Sequence, residues 1–174
     1  MSFEVVALGE IKKLAARLPA ADETSAEAAR TRQNQLTKPP GSLGKLEDIA
    51  VFMAGWQKSD RPQIKSAQAL VFAGNHGICD RGVNPFPQAV TAQMVANFEA
   101  GGAAINQLCS ANQATLSVVP LELDRPTQDF TQGPAMTEAE TLAAINAGAA
   151  AVDETADILL LGEMGIGNST IAAA

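Results

Sequence analysis

The sequence is short of aromatic, basic and thiol side chains. It has no Tyr, one His, one Trp, two Cys, and 12 Lys and Arg against 19 Asp and Glu in 174 residues. The net charge of −7 argues against nucleic acid and anionic membrane as main partners. Cys79 and Cys109 lack metal-ligand spacing and a neighbouring His pair, so two reduced thiols are expected rather than a metal site or disulfide framework. No apolar run is long enough to span a bilayer, and the start, MSFEVVALGEIKK, has no secretory h-region, so a cytoplasmic location is expected. A hydrophobic content of 47% with 18% charged residues is that of a globular chain with a real core.

Three apolar runs punctuate the second part. Ala69–Ala73, Thr115–Val119 and Ile158–Leu161 each read as a buried strand that ends at Gly or Pro. Helical patterns lie between them, with Val90, Met94 and Phe98 on one face after Pro87, then residues 103–110. A capping box, Thr137-x-x-Glu140, opens a helix burying Leu142, Ile145, Ala149 and Val152. Before the strands, residues 3–18 carry Val5, Leu8, Ile11, Leu14 and Leu18 near helical spacing. Residues 23–35 read as a polar helix. Leu36–Gly44 is a rigid Pro/Gly connector, and Ser42 is placed to cap a helix with Leu46, Ile49, Ala50, Met53 and Trp56 on its apolar face. The expected fold is therefore α/β: a Rossmann-like parallel sheet flanked by helices over 61–174, preceded by a small helical subdomain over 1–60. A three-stranded sheet leaves an edge, and the last helix has barely opened at Ala174. The chain thus reads as a truncated part of a longer product.

Ligands of such sheets sit beyond the strand carboxyl ends, which here carry loops 74–86, 120–135 and 162–168. The last, Gly162-Glu163-Met164-Gly165-Ile166-Gly167 before Asn168, fits two readings. It is an anion site at a helix start, or a strand-to-helix turn whose glycines allow close packing. It is neither a P-loop nor G-x-G-x-x-G. His76 is either a hydrogen-bonding or acid–base group at the site mouth or a loop histidine satisfied by carbonyls. Glu163 binds a hydroxyl or cation, or faces water. Asp124, Arg125 and Asp129 are explained equally well as a solvated run. Ser169 and Thr170 are helix-start caps, and no nucleophile–base–acid set is complete.

Several stretches occur together in one order: Lys38-Pro39-Pro40-Gly41-Ser42-Leu43-Gly44, Gly74-Asn75-His76-Gly77, Val90–Phe98, Gly101–Asn106 and Gly162–Thr170. In this the sequence resembles the nicotinate-nucleotide:dimethylbenzimidazole phosphoribosyltransferase family, over nearly all its length. The resemblance implies a homodimeric enzyme of cobalamin biosynthesis. Such an enzyme moves phosphoribose from nicotinate mononucleotide to a benzimidazole base, giving α-ribazole 5'-phosphate and nicotinate, with no cofactor or metal. It places Glu163 and Gly165 near the ribose phosphate, with Met164, Gly167 and Asn168 in the same loop. Phe86 and Met94 would line the benzimidazole pocket, with Asn75 and His76 close by. Some family members carry Asp where Asn75 stands, so no acid role transfers there. The family's general base, a Glu, belongs to a second half beyond Ala174, so the isolated 174 residues are expected to be inactive. Two other functions stay open. One is a dinucleotide-dependent oxidoreductase, which needs an acid about 20 positions past the glycine loop. The other is a non-catalytic anion-binding domain.

Overall fold

The computed structural model describes residues 4–174, in two compact units: Lys13–Lys65, and residues 4–12 with Ser66–Ala174.

The expected helix over 3–18 is much shorter, and its first residue lies outside the described residues. A 3₁₀ turn, Leu8–Glu10, leads into α1 (Ile11–Ala15). Residues 4–7 are not helical because their backbone is engaged elsewhere. The Val5 N–H donates to Asn146 Oδ1 at 2.8 Å, and Asn146 Nδ2 donates to the Val5 carbonyl at 2.9 Å. Those groups cannot also serve a helical ladder.

In the Lys13–Lys65 unit, α2 (Glu23–Gln35) starts at Asp22, whose carboxylate accepts the Ser25 N–H. It pairs with α3 (Lys45–Gln57) through small residues: Ala26, Ala29, Ala54 and Gly55 are buried. The apolar face read from sequence is only partly covered, with Ala50 and Met53 half-buried. Leu46, Ile49 and Trp56 are exposed, and close approach at Gly55 sets the packed face instead. Ser42 is not the cap of α3. The N-cap is Gly44, at φ 55°, without a side-chain bond. Glu47 instead ties the preceding segment to the helix start, accepting from Lys38 Nζ at 2.7 Å and the Leu43 N–H at 3.2 Å. The Lys38 bond holds the Glu47 carboxyl below its usual range.

The other unit is a parallel sheet in the order β2-β1-β3, with β1 Ala67–Ala73, β2 Thr115–Pro120 and β3 Ile158–Met164. The helices are α4 (Ala89–Glu99), α5 (Ala104–Asn112), α6 (Glu138–Ala150) and α7 (Asn168–Ala173). β1 is central, so Ala69, Leu70, Val71 and Ala73 are buried. Among the described residues β3 pairs on one side only, with β1, and its Leu159, Leu160 and Leu161 are exposed. It departs from expectation in running on through Gly162, Glu163 and Met164, which pair with Val71, Phe72 and Ala73. The glycine at 162 does not break it, because the neighbouring strand supplies the ladder. The α6 capping box forms as expected, Thr137 Oγ1 accepting the Glu140 N–H and Glu140 accepting the Thr137 N–H. Its Leu142 and Ile145 are only half-buried, and Val152 is exposed.

Gly101-Gly102 and Asn106 build the α4–α5 corner. Gly101 is left-handed at φ 77°, and a Cβ at Gly102 would collide with Asn97. Asn106 Oδ1 accepts the Ala103 N–H, and its Nδ2 donates to the Phe98 carbonyl. This motif is structural.

Candidate functional site

The register aligns the three strand ends. Ala73 lies opposite Pro120 on one side and Met164 on the other. The chain therefore leaves the sheet at one level three times, into the loops beginning Gly74, Leu121 and Gly165. The Gly74 N–H donates to the Met164 carbonyl, and the Leu121 N–H donates to the Ala73 carbonyl. The three exits are tied before any side chain acts.

Side chains then join the first loop to the third. His76 Nε2 donates to Asn168 Oδ1 at 2.5 Å. The Cys79 thiol donates to the Ile166 carbonyl at 3.1 Å, and the Ile166 N–H donates to Thr91 Oγ1 at 3.1 Å. Thr91 is fully buried on α4. Burial, with Asp80 close by, pushes the Cys79 thiol pKa up, which keeps it a thiol rather than a nucleophile. Glycine permits the contact. A Cβ at Gly165 would overlap the Gly74 carbonyl oxygen and Asn168 Oδ1, and one at Gly167, φ 93°, would lie 2.7 Å from Cys79 Sγ. Close packing is thus a real part of the glycine loop's work.

The second loop docks on the first by backbone. His76 and Thr127 form a parallel bridge, and the Gly77 N–H donates to the Thr127 carbonyl at 2.8 Å. Asn75 Nδ2 donates to the Leu123 carbonyl, and Gln88 Nε2 to the His76 carbonyl. Arg125 and Asp129 are more than a solvated run. Arg125 bonds Glu122 and Glu140, and Asp129 accepts from Arg81 Nε at 2.7 Å. The Thr131 hydroxyl, then Arg81, hold the Asp129 carboxyl below its ordinary range. A depressed carboxyl stabilises the fold above its unfolded pKa, and that contribution disappears as pH falls through the folded value. Asp129→Asn is therefore expected to lower the melting temperature near neutral pH. The gap between the two proteins should close as pH is taken from about 5 to about 2. Melting followed by circular dichroism over that series checks it; a gap independent of pH refutes it.

Two recesses border these loops. Phe86 lines an open cleft of about 790 Å³ with Asn84, Gln88 and Asp129. Asn75 and His76 line a separate cavity. Of the residues singled out from sequence, Asn75, His76, Gly165, Gly167 and Asn168 come together. Phe86 is exposed in its cleft, while Met94 is half-buried on α4 and lines neither recess. Glu163 is exposed on β3, its side chain on the Phe72 face of the sheet, and Met164 is half-buried. Gln88, Thr91 and Thr127 were not anticipated. Thr91 had a signal: it stands one turn before Val95 in a buried stripe, where a hydroxyl needs a partner.

Comparison with known proteins agrees with this layout. The phosphoribosyltransferase family model matches residues 18–174. A Rhodobacter capsulatus protein named nicotinate-nucleotide--dimethylbenzimidazole phosphoribosyltransferase is 67% identical, over 99% of this chain and 52% of its own length. A Ruegeria sp. protein of the same name is 53% identical, over 98% and 51%. Among solved structures, CobT from Thermus thermophilus is similar with a TM-score of 0.79 and 40% identity, over 86% of this chain and 51% of that one. The chain spans about half the length of the curated relatives it matches. With its strand-end loops joined and its whole sheet inside the matched region, this chain belongs to the nicotinate-nucleotide:dimethylbenzimidazole phosphoribosyltransferase family.

Proposed function

We propose that this sequence, within a chain of its relatives' length, transfers phosphoribose from nicotinate mononucleotide to 5,6-dimethylbenzimidazole, in the cytoplasm and as a homodimer. The products are α-ribazole 5'-phosphate and nicotinate, for cobalamin assembly. The observation that carries the reading is the junction of the first and third strand-end loops, His76 to Asn168 and Cys79 to Ile166, beside the Phe86 cleft. It sets a loop suited to a ribose phosphate next to a slot suited to a flat base.

The chemistry asks little of this half. A pyridinium leaving group departs without much acid help. The carbocation-like ribose needs a fixed phosphate and a nearby carboxylate. Gly165 to Asn168 hold the phosphate end, Glu163 engages a ribose hydroxyl, and Phe86 contacts the base, with Met94 set behind it on α4 rather than in the cleft. The helical subdomain expected over 1–60 is taken as the Lys13–Lys65 unit, since Val5 is bonded to Asn146 of the sheet-bearing unit. The general base comes from outside these 174 residues. A base of that kind contributes about 10²–10⁴-fold, so the isolated residues do not turn over.

The test is nicotinate release from nicotinate mononucleotide and dimethylbenzimidazole by a protein of the relatives' length that contains this sequence. Release that Glu163→Gln weakens through KM supports the reading. Absence of release, with NAD bound instead, sinks it.

A further inference from the structure

The two walls of the Phe86 cleft come from different strand-end loops. One wall is the first loop, with Gly77, Asn84 and Phe86. The other is the Pro126–Asp129 segment of the second loop. Backbone joins the walls at Thr127, through its bridge to His76 and the Gly77 N–H that donates to its carbonyl. Gly77 permits that approach. A Cβ there would lie 2.6 Å from the Thr127 carbonyl oxygen and 2.7 Å from the Asp129 nitrogen.

Two residues past Thr127 the joint is an ion pair. Arg81 Nε donates to Asp129 Oδ2 at 2.7 Å. The carboxylate is set up for that bond by its own turn. Asp129 Oδ1 accepts both the N–H and the hydroxyl of Thr131, which fixes the side chain and leaves Oδ2 for Arg81. The Asp129 side chain is 19% exposed and that of Arg81 51%. Asp129 lines the cleft and Arg81 does not. Arg81 closes the 3₁₀ turn Gly77–Arg81, whose first residue is the one that meets Thr127. Its place is therefore set by the first wall, and it acts on the cleft through the second.

We propose that the Arg81–Asp129 pair is a clasp that holds the Pro126–Asp129 wall against the first loop and so fixes the width of the Phe86 cleft, with Arg81 as a positioning residue. Its bearing on the substrate rests on the reading of that cleft as the slot for the base. A flat ring is gripped on both faces only while the walls keep their spacing. A half-exposed ion pair is weak, so its loss changes binding a few-fold, and salt screens it.

Hydrogen exchange of the 174-residue chain, followed by NMR, reads the clasp without any reaction. Arg81→Ala should speed exchange of the Gly77 and Thr127 amides at least about threefold, and Arg81→Lys should restore most of the protection. In the parent, exchange at these two amides should rise between about 0.05 and 0.5 M salt, and in Arg81→Ala it should not. Unchanged exchange in Arg81→Ala, or the same salt response in both proteins, overturns the clasp.

Kinetics of a chain of the relatives' length read its effect on the base. Asp129→Asn keeps an oxygen for Thr131 but turns an amide N–H toward Arg81, so it opens the clasp as Arg81→Ala does, with the opposite change of charge. Both should raise KM for dimethylbenzimidazole about threefold and leave KM for nicotinate mononucleotide within about twofold. The base is uncharged at slightly alkaline pH, yet its KM should rise with salt in the parent and stay flat in both variants. Shifts of opposite sign in the two variants would mean that charge in the wall, not its spacing, is what the base senses, and would overturn the proposal. Equal shifts in both KM values would do so too, since they mark a general loosening. If the parent releases no nicotinate, the transfer reading falls, and hydrogen exchange still decides the clasp.

Discussion

Gly165→Ala should lower the melting temperature by about 5–15 °C and cut transferase turnover in a chain of the relatives' length by about 10²-fold or more. A Cβ here has nowhere to go. It would overlap the Gly74 carbonyl oxygen, which is backbone at the end of the central strand, and Asn168 Oδ1, which holds His76. Relief requires that the third loop move off the first. Overpacking of this kind costs about 1–3 kcal/mol. Loss of the His76 bond adds about 1 kcal/mol. A chain of this size changes its melting temperature by about 2–4 °C per kcal/mol. The effect on turnover follows from position, since a displacement of about 1 Å at a substrate loop costs about 10²-fold. Gly148→Ala is the internal control. Gly148 lies inside α6 with nothing near its missing Cβ, so alanine there should stabilise by about 0.5–1 kcal/mol through helix propensity. Calorimetry on both variants decides: equal, small effects would mean that the contact at Gly165 is not what holds the loop.

Local signals in the sequence made much of the fold legible. β1 is a nearly continuous apolar run ended by Gly74, and a central strand is where such a run belongs. Thr137 and Glu140 marked the start of α6 because a capping box is a contact between residues three apart. What could not be read depends on partners distant in sequence. Leu159–Leu161 read as a strand from their apolar run, but that this strand lies beside β1 and not β2 follows from the order β2-β1-β3, and strand order is not a local property. Val5 carries a helical pattern, yet its backbone is taken by Asn146, 141 positions away. On α3 the largest apolar side chains stay out while Ala54 and Gly55 go in, because helix approach is limited by the smallest residues at the contact.

The site shows the same division. The residues of the Gly74–Gly77 and Gly165–Asn168 loops were picked out one by one, since each stands at a strand end. Their coupling was not visible, because His76 and Asn168 are 92 positions apart. Nor did the glycine loop declare which of its two readings holds. The packing reading is met by Gly165 and Gly167, whose missing side chains admit Gly74, Asn168 and Cys79. That packing also brings the loop to the place where the proposed ribose phosphate would be held.

His76 and Asn168 should act as one unit, and a double-mutant cycle tests it. In a chain of the relatives' length, His76→Ala and Asn168→Ala are each expected to lower kcat/KM by about 10–10²-fold, or about 1.4–2.8 kcal/mol. Each change removes the same restraint on the first and third loops. The double variant should therefore be hardly worse than either single one. The interaction energy would be about 1–3 kcal/mol, the range for residues in direct contact. Strict additivity would mean that the two side chains act separately on the substrate. Asn168→Asp sharpens the comparison. It keeps an acceptor for His76 Nε2–H, so the loop should stay in place, but it adds a negative charge beside the proposed phosphate position. Its melting temperature should remain near that of the parent while KM for nicotinate mononucleotide rises. A melting temperature that falls as far as in Asn168→Ala would show that the amide nitrogen, not the acceptor oxygen, is what the loop requires.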